Sequence, residues 1–289
     1  MTRRPGRLLL ALLLTLLATP SLFASSLRVT WDPPTPRGGD VVLMRLLGAP
    51  AGAEVMAELD GHPVGLFPAG DGHAAMIGID MDAPAGPRPW KVTAGSMTAK
   101  GQLRVAARTY EVEHLTVAPS MSELDPETEQ RAVRETERLR STYRTITAER
   151  LWRGPFMRPV DGERPGTGFG SRRVINGKPR SPHGGIDFPA PTGAEVRAVN
   201  RGRVALVGEF YFPGRLVILD HGLGLYTLYF HLDTIAVTEG QIVARGETLG
   251  TVGMTGRVTG PHLHFGAQVG AARVDPAVLL GLRADRVPD

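Results

Sequence analysis

Five of the eight histidines fall between positions 183 and 264, close to turn residues and acids. Pro182-His183-Gly184-Gly185-Ile186-Asp187-Phe188 sets an imidazole and a carboxylate four residues apart. That spacing would share a helix face, but two glycines and the flanking prolines favour a loop running into a strand. Downstream come Tyr229-Phe230-His231 and Gly260-Pro261-His262-Leu263-His264-Phe265. On a strand, His262 and His264 point to one side, about 6.5–7 Å apart along the chain, while Leu263, Phe265 and Ala267 form an apolar back. The same alternation puts His231 on a face with Tyr229 and Thr227, opposite Tyr226, Leu228 and Phe230.

Imidazole nitrogen and carboxylate oxygen suit Zn²⁺, which in catalytic sites takes three protein ligands and leaves a fourth position for water. Two histidines and one aspartate leave a charge of about +1 at the metal, enough to bring bound water to a pKa of about 7 and to polarise a carbonyl. Spacing alone does not select between His262 and His264, because an H-x-H strand can supply both. Other chemistries lack their parts. The chain has no cysteine, which excludes disulfide scaffolds, thiolate zinc sites and cysteine nucleophiles. It has no H-E-x-x-H, no G-x-S-x-G and no G-x-x-x-x-G-K-[ST]. Gly166-Thr167-Gly168-Phe169-Gly170 lacks the dinucleotide spacing.

The elements that must hold these groups are short strands. Gly and Pro supply 36 and 24 of the 289 residues, which favours turns and strands over long helices. After Pro155 the strand candidates are Glu195–Val199, Arg203–Val207, Arg215–Asp220, Leu225–His231, Gln241–Val243, Thr248–Val252 and His262–Val269, with glycines between them. His221, after a strand and before Gly222, reads as a structural turn or groove residue and not as a ligand.

From Leu27 to about Val117, roughly seven short strands predict an immunoglobulin-like β-sandwich. Asp60-Gly61 is a hairpin turn leading into Val64-Leu66. Pro33, Pro34, Pro36, Pro84, Pro87 and Pro89 are expected between strands. His62, His73 and His114 are isolated loop or surface residues. Asp125-Pro126 starts a helix that runs through residues 127–150. Glu127 and Arg131 are spaced to pair on it, and Val133, Leu139, Tyr143 and Ile146 form a narrow apolar stripe. This helix reads as solvated and lightly packed, or as a spacer or docking element.

Residues 1–24 read as a secretory signal peptide: Arg3, Arg4 and Arg7, then an apolar run from Leu8 to Leu17, then a cut after Ala24. The run is short for a bilayer span of about 20 residues. Those three arginines account for all but one of the four formal positive charges, so little net charge remains for nucleic-acid binding. The expected organisation is a leader (1–24), a sandwich (25–118), a helical linker (119–155) and a peptidase-type β domain (156–289), all-β apart from the linker. The expected location is the periplasm or cell envelope.

From Gly168 to about Leu280, the chain resembles the lysostaphin-type zinc metalloendopeptidases of the LytM kind, which cut peptidoglycan peptides. The resemblance rests on Phe169-Gly170 with Arg172, His183-Gly184-Gly185-Ile186-Asp187-Phe188, Asp220-His221-Gly222, Tyr229-Phe230-His231-Leu232, Gly253-Met254-Thr255-Gly256 and Thr259-Gly260-Pro261-His262-Leu263-His264-Phe265. It departs at Gly266, where the family often has an acid. The resemblance implies a compact two-sheet β-fold with substrate lying in a groove over one zinc per chain. His183, Asp187 and His264 would bind the metal, and His231 and His262 would be catalytic histidines beside it. Zinc-bound water would attack the amide, with one of these two as base and the other steadying the oxyanion. Tyr229 and Arg172 are candidate substrate contacts. The expected partner is the peptidoglycan stem peptide, with the sandwich or helix as a surface for an envelope protein, and the expected state is a monomer. The competing reading is a non-enzymatic regulator or docking protein that activates another wall hydrolase. It fits family members that have lost their ligands, whereas all five key positions are present here.

Overall fold

A computed structural model describes residues 26–116, 124–162 and 168–282. The expected leader lies outside these residues. Among the described residues no helix is long and apolar enough to cross a membrane.

The N-terminal strands are β1 (Arg28–Asp32), β2 (Val41–Leu47), β3 (Val55–Leu59), β4 (His62–Pro63), β5 (Phe67–Ala69), β6 (Gly72–Gly78), β7 (Gly86–Ala94) and β8 (Met97–Val105). They form two four-stranded sheets, β1-β2-β6-β5 and β4-β3-β7-β8. Strand β2 reads Val-Val-Leu-Met because both its faces are covered. Val42, Met44 and Leu46 enter the sandwich core with Ala75, Ile77, Val92 and Leu103. Val41 and Leu43, joined by Ala74 and Met76 of β6, enter a second core shared with the C-terminal unit. A strand buried on both faces loses its polar alternation, which is what the sequence shows here.

Two expectations are corrected in this unit. Pro87 and Pro89 lie inside β7, not between strands. They are tolerated because β3 ends opposite Trp90, so the first half of β7 pairs only with β8 and is a sheet edge. The hairpin turn at Asp60-Gly61 forms, with both residues at positive φ, but its second strand is His62–Pro63 and stops before Val64.

Strand β9 (Val112–Leu115) leaves the sandwich and pairs in parallel with β10 (Arg172–Ile175), which pairs with β11 (Lys178–Pro179). Between them, α1 (Pro126–Arg144) starts as expected. The Asp125 carboxylate accepts from the Glu127 and Thr128 amides at 3.0 and 2.9 Å, occupying donors a helix start leaves free. Arg131 pairs with Glu135 at 2.7 Å, not with Glu127. The helix ends at Arg144, short of the expected residue 150, so Ile146 lies beyond it. Of the rest of the stripe, Leu139 and Tyr143 pack on the large sheet and Val133 is exposed.

The C-terminal unit comprises β12 (Gly185–Pro189), β13 (Glu195–Arg197), β14 (Gly202–Phe210), β15 (Gly214–Gly222), β16 (Leu225–Ile235), β17 (Ile242–Val243), β18 (Thr248–Val252), β19 (His262–Val269), β20 (Ala272–Val274) and α2 (Pro276–Leu280). The main path is β12-β19-β16-β15-β14-β17, with β13-β18 branching from it. Strand β16 joins the two layers: residues 225–230 pair with β19, and 232–235 pair with β18.

The seam between the two units is closed by ion pairs as well as by the shared core. Arg273 bridges Asp80 at 2.8 Å and Asp82 at 2.7 Å, and Arg108 reaches Asp275 at 3.0 Å. The Tyr110 hydroxyl donates to the Gly38 carbonyl at 2.9 Å.

Candidate metal centre

Cross-strand register builds the site. Asp187 on β12 is opposite His264 on β19, which is opposite Phe230 on β16. Directly opposed residues project to the same side of a sheet, so carboxylate, imidazole and phenyl ring line up on one face. His183 enters from the loop before β12. Its Nε2 lies 3.1 Å from Asp187 Oδ1 and 2.9 Å from His264 Nδ1, and His264 Nδ1 lies 2.9 Å from the same carboxylate oxygen. Two imidazole nitrogens and one carboxylate oxygen thus form a compact triangle that could hold a metal ion. Ligand atoms about 2.0–2.1 Å from a tetrahedral zinc would stand about 3.3 Å apart, so the donor set fits with a small outward relaxation. Gly185 makes the crowding feasible, because a Cβ there would stand 2.7 Å from His264 Nε2.

The electrostatics favour an anionic Asp187 beside a neutral His264. Burial opposes ionisation of Asp187, but hydrogen bonds from His183 and His264 outweigh it and hold the carboxyl well below its usual range. Burial pushes the His264 imidazole down. Phe230 stacks on it, ring centroids 5.3 Å apart and planes 13° from parallel.

His231 and His262 stand beside the triangle, their rings 4.9 Å apart. Each is oriented through Nδ1, His231 by the Thr255 carbonyl at 3.0 Å and His262 by the Gly260 carbonyl at 2.9 Å. A neutral ring that donates from Nδ1 keeps its lone pair on Nε2. His262 Nε2 lies 3.8 Å from Asp187 Oδ1. Burial, reinforced by the neighbouring His264, lowers the His231 pKa to about 4.

Strand alternation misplaces His231. The pairs Arg215↔Leu232 and Val217↔Tyr229 bracket a bulge, with Phe230 and His231 opposite Leu216 alone. His231 takes φ 66° there. Such an extra residue re-aims a side chain, and here the imidazole joins Phe230 on the metal side while Tyr229 and Thr227 stay behind.

Tyr229 is correspondingly corrected as a substrate contact. It is fully buried, and its hydroxyl accepts from the Val199 amide at 3.1 Å. The Arg172 guanidinium pairs with Asp82 and lies over the Tyr110 ring, tying β10 to the sandwich. Sequence reasoning missed three partners of the site: Phe230, and the carbonyls of Thr255 and Gly260. All three stand in the quoted motif runs, but nothing in those runs marked them as partners of the histidines.

His221 is structural. Its Nδ1 donates to the Arg201 carbonyl at 2.8 Å, and its Nε2 accepts from the Thr227 hydroxyl at 2.7 Å. Its backbone carbonyl receives the Leu151 amide at 2.8 Å, anchoring the linker. Burial lowers its pKa to about 4. Because the folded ring binds its proton more weakly than the unfolded one, this stability is complete above about pH 6.5 and lost as pH falls towards 4. A shift of that size corresponds to roughly 3 kcal/mol. Urea unfolding of His221→Gln, which has no titrating ring, should show a correspondingly smaller loss of stability between pH 7 and 4 than the unsubstituted protein.

A crystal structure from Pseudomonas aeruginosa assigned to peptidase M23 aligns with 86% of this chain and 96% of its own, at TM-score 0.66 and 31% identity. The model of peptidase family M23 matches residues 181–276, which hold the whole triangle and both flanking histidines. The chain belongs to peptidase family M23. Two curated M23-like relatives are the peptidoglycan DD-endopeptidase ShyB of Vibrio cholerae, 43% identical, and the DD-carboxypeptidase/endopeptidase Mpg of Neisseria meningitidis, 44% identical. Each alignment spans 94 residues, 32% of this chain and 22% of the relative. The chain therefore matches under a quarter of the length of these two relatives.

Proposed function

We propose that this M23 protein is a zinc endopeptidase of the cell envelope that hydrolyses D,D-peptide cross-links in peptidoglycan. The observation that carries the reading is the convergence of His183, Asp187 and His264 with two further imidazoles turned to the same point. The names of the curated relatives support the D,D bond as the target. When bound by His183, Asp187 and His264, zinc supplies the Lewis acidity that activates water and polarises the scissile carbonyl.

The chain's own groups do the rest. His231, neutral at physiological pH, presents its Nε2 lone pair and takes a proton from the nucleophile. His262, fixed through Gly260, puts its Nε2 on the other side of the same space, where a proton on that atom would offset charge developing on the carbonyl oxygen. Phe230 holds the His264 ring plane, and the apolar back of β19 keeps both histidines on a rigid strand.

Digestion of purified sacculi with and without a chelator, followed by mass analysis of the released muropeptides, tests this. Cross-linked dimers should disappear in favour of monomers with new D-alanine ends, and the chelator should stop the reaction. Chelator-resistant cleavage, or cleavage within the glycan, would overturn it.

A further inference from the structure

Helix α1 does more than connect the two units. Leu139 and Tyr143 pack on the sheet face that carries Phe230, and Arg138 lies over Phe210, 5.6 Å from the ring centroid. At the end of β14, Glu135 Oε2 accepts the Tyr211 amide at 2.7 Å. The turn fixed by that bond continues into the site. The Phe212 carbonyl receives the Arg257 amide at 3.0 Å, and the Pro213 carbonyl receives the His231 amide at 2.9 Å. Thr255, whose carbonyl orients His231, accepts the Arg215 amide on its hydroxyl at 2.9 Å. The two loops touch so closely that a Cβ on Gly256 would stand 2.3 Å from the Gly214 nitrogen.

His231 is thus held at both its backbone amide and its ring by one pair of interlocked loops. It needs that support, because φ 66° is strained for a residue other than glycine. Glu135, on the interdomain helix and outside residues 181–276, is a side chain that grips this assembly.

We propose that Glu135 is a positioning residue: its hydrogen bond to the Tyr211 amide holds the 211–214 turn, and through it the His231 imidazole, in the catalytic orientation. The inference rests on the proposed role of His231 in hydrolysis. The interdomain helix becomes a working part of the active site, and its docking sets turnover without touching substrate or metal.

The test uses the full chain in three variants. Glu135→Ala removes the acceptor, Glu135→Gln keeps an acceptor without the charge, and Arg131→Ala removes only the exposed ion pair on the helix. Glu135→Ala should lower kcat on soluble cross-linked muropeptides about tenfold, with KM and zinc stoichiometry unchanged, as expected for a small misplacement of a catalytic group. Glu135→Gln and Arg131→Ala should match the unsubstituted protein. Independently of activity, the Nδ1–H resonance of His231 in the metal-free protein should shift or broaden in Glu135→Ala alone. Full kcat with an unmoved resonance in Glu135→Ala would overturn the proposal, as would equal impairment of Glu135→Gln. If the unsubstituted protein failed to cleave wall material, the proposed function would fall, while the resonance would still report on the coupling itself.

Discussion

His264→Ala should abolish both metal binding and hydrolysis, with turnover falling by more than about 10⁴-fold as the Lewis acid is lost. His264 Nδ1 is one corner of a triangle whose other atoms are 2.9 Å away on His183 and Asp187. Removing it leaves two donors, fewer than a catalytic zinc site uses. The strand itself should survive, because the pairing of β19 with β12 and β16 is a backbone property. Elemental analysis should find about one zinc per chain in the unsubstituted protein and none in the variant. Added zinc should raise the melting temperature of the former by linkage and leave the latter unmoved. Retention of stoichiometric zinc by His264→Ala would remove it from the ligand set.

His262→Ala should behave in the opposite way, keeping its zinc while kcat falls roughly 10²–10⁴-fold, the usual worth of a positioned acid or base. Its ring is two residues from His264 on the same face, yet its Nε2 stands 3.8 Å from Asp187 Oδ1, outside the tight triangle. Its Nδ1 is committed to the Gly260 carbonyl at 2.9 Å. The contrast between the two substitutions separates the roles of neighbouring imidazoles on one strand. Loss of zinc from His262→Ala would show that both belong to the metal.

The candidate residues of the triangle were legible locally, from a glycine-rich entry to β12 and alternation along β19. The choice of His264 over His262 came only from the family resemblance, since what brings His264 to Asp187 is the pairing of strands 77 residues apart. His231 was half legible. Its residue type and neighbours marked it, but alternation assigned the wrong face, since a bulge against β15 arises from pairing that a single strand does not reveal. Tyr229 failed for another reason. Whether a tyrosine is a groove wall or a core residue depends on who accepts and donates at its hydroxyl, and here that is Val199. Arg172 is claimed by Asp82, 90 residues earlier. Long-range ion pairs of this kind leave no local pattern. The same holds for α1, where Arg131 had acids four residues away on both sides and the structure selects Glu135. The apolar run at the start of β2 could have announced a strand covered on both sides, and with it the fusion of the two units.

That fusion has a practical outcome. A fragment beginning at residue 160 would lose Val41, Leu43, Phe67 and Met76 from one side of a common interior, and Trp152 and Phe156 from its middle. Asp80 and Asp82 would vanish from beside Arg273. Such a fragment would carry a raw oily scar where its neighbour had been, and should precipitate or need detergent while the intact chain stays dispersed. Cutting this chain at the apparent joint divides a single core, because the amino-terminal unit packs into the same interior as Phe188, Leu263 and Phe265 on the apolar back of the metal-bearing strands.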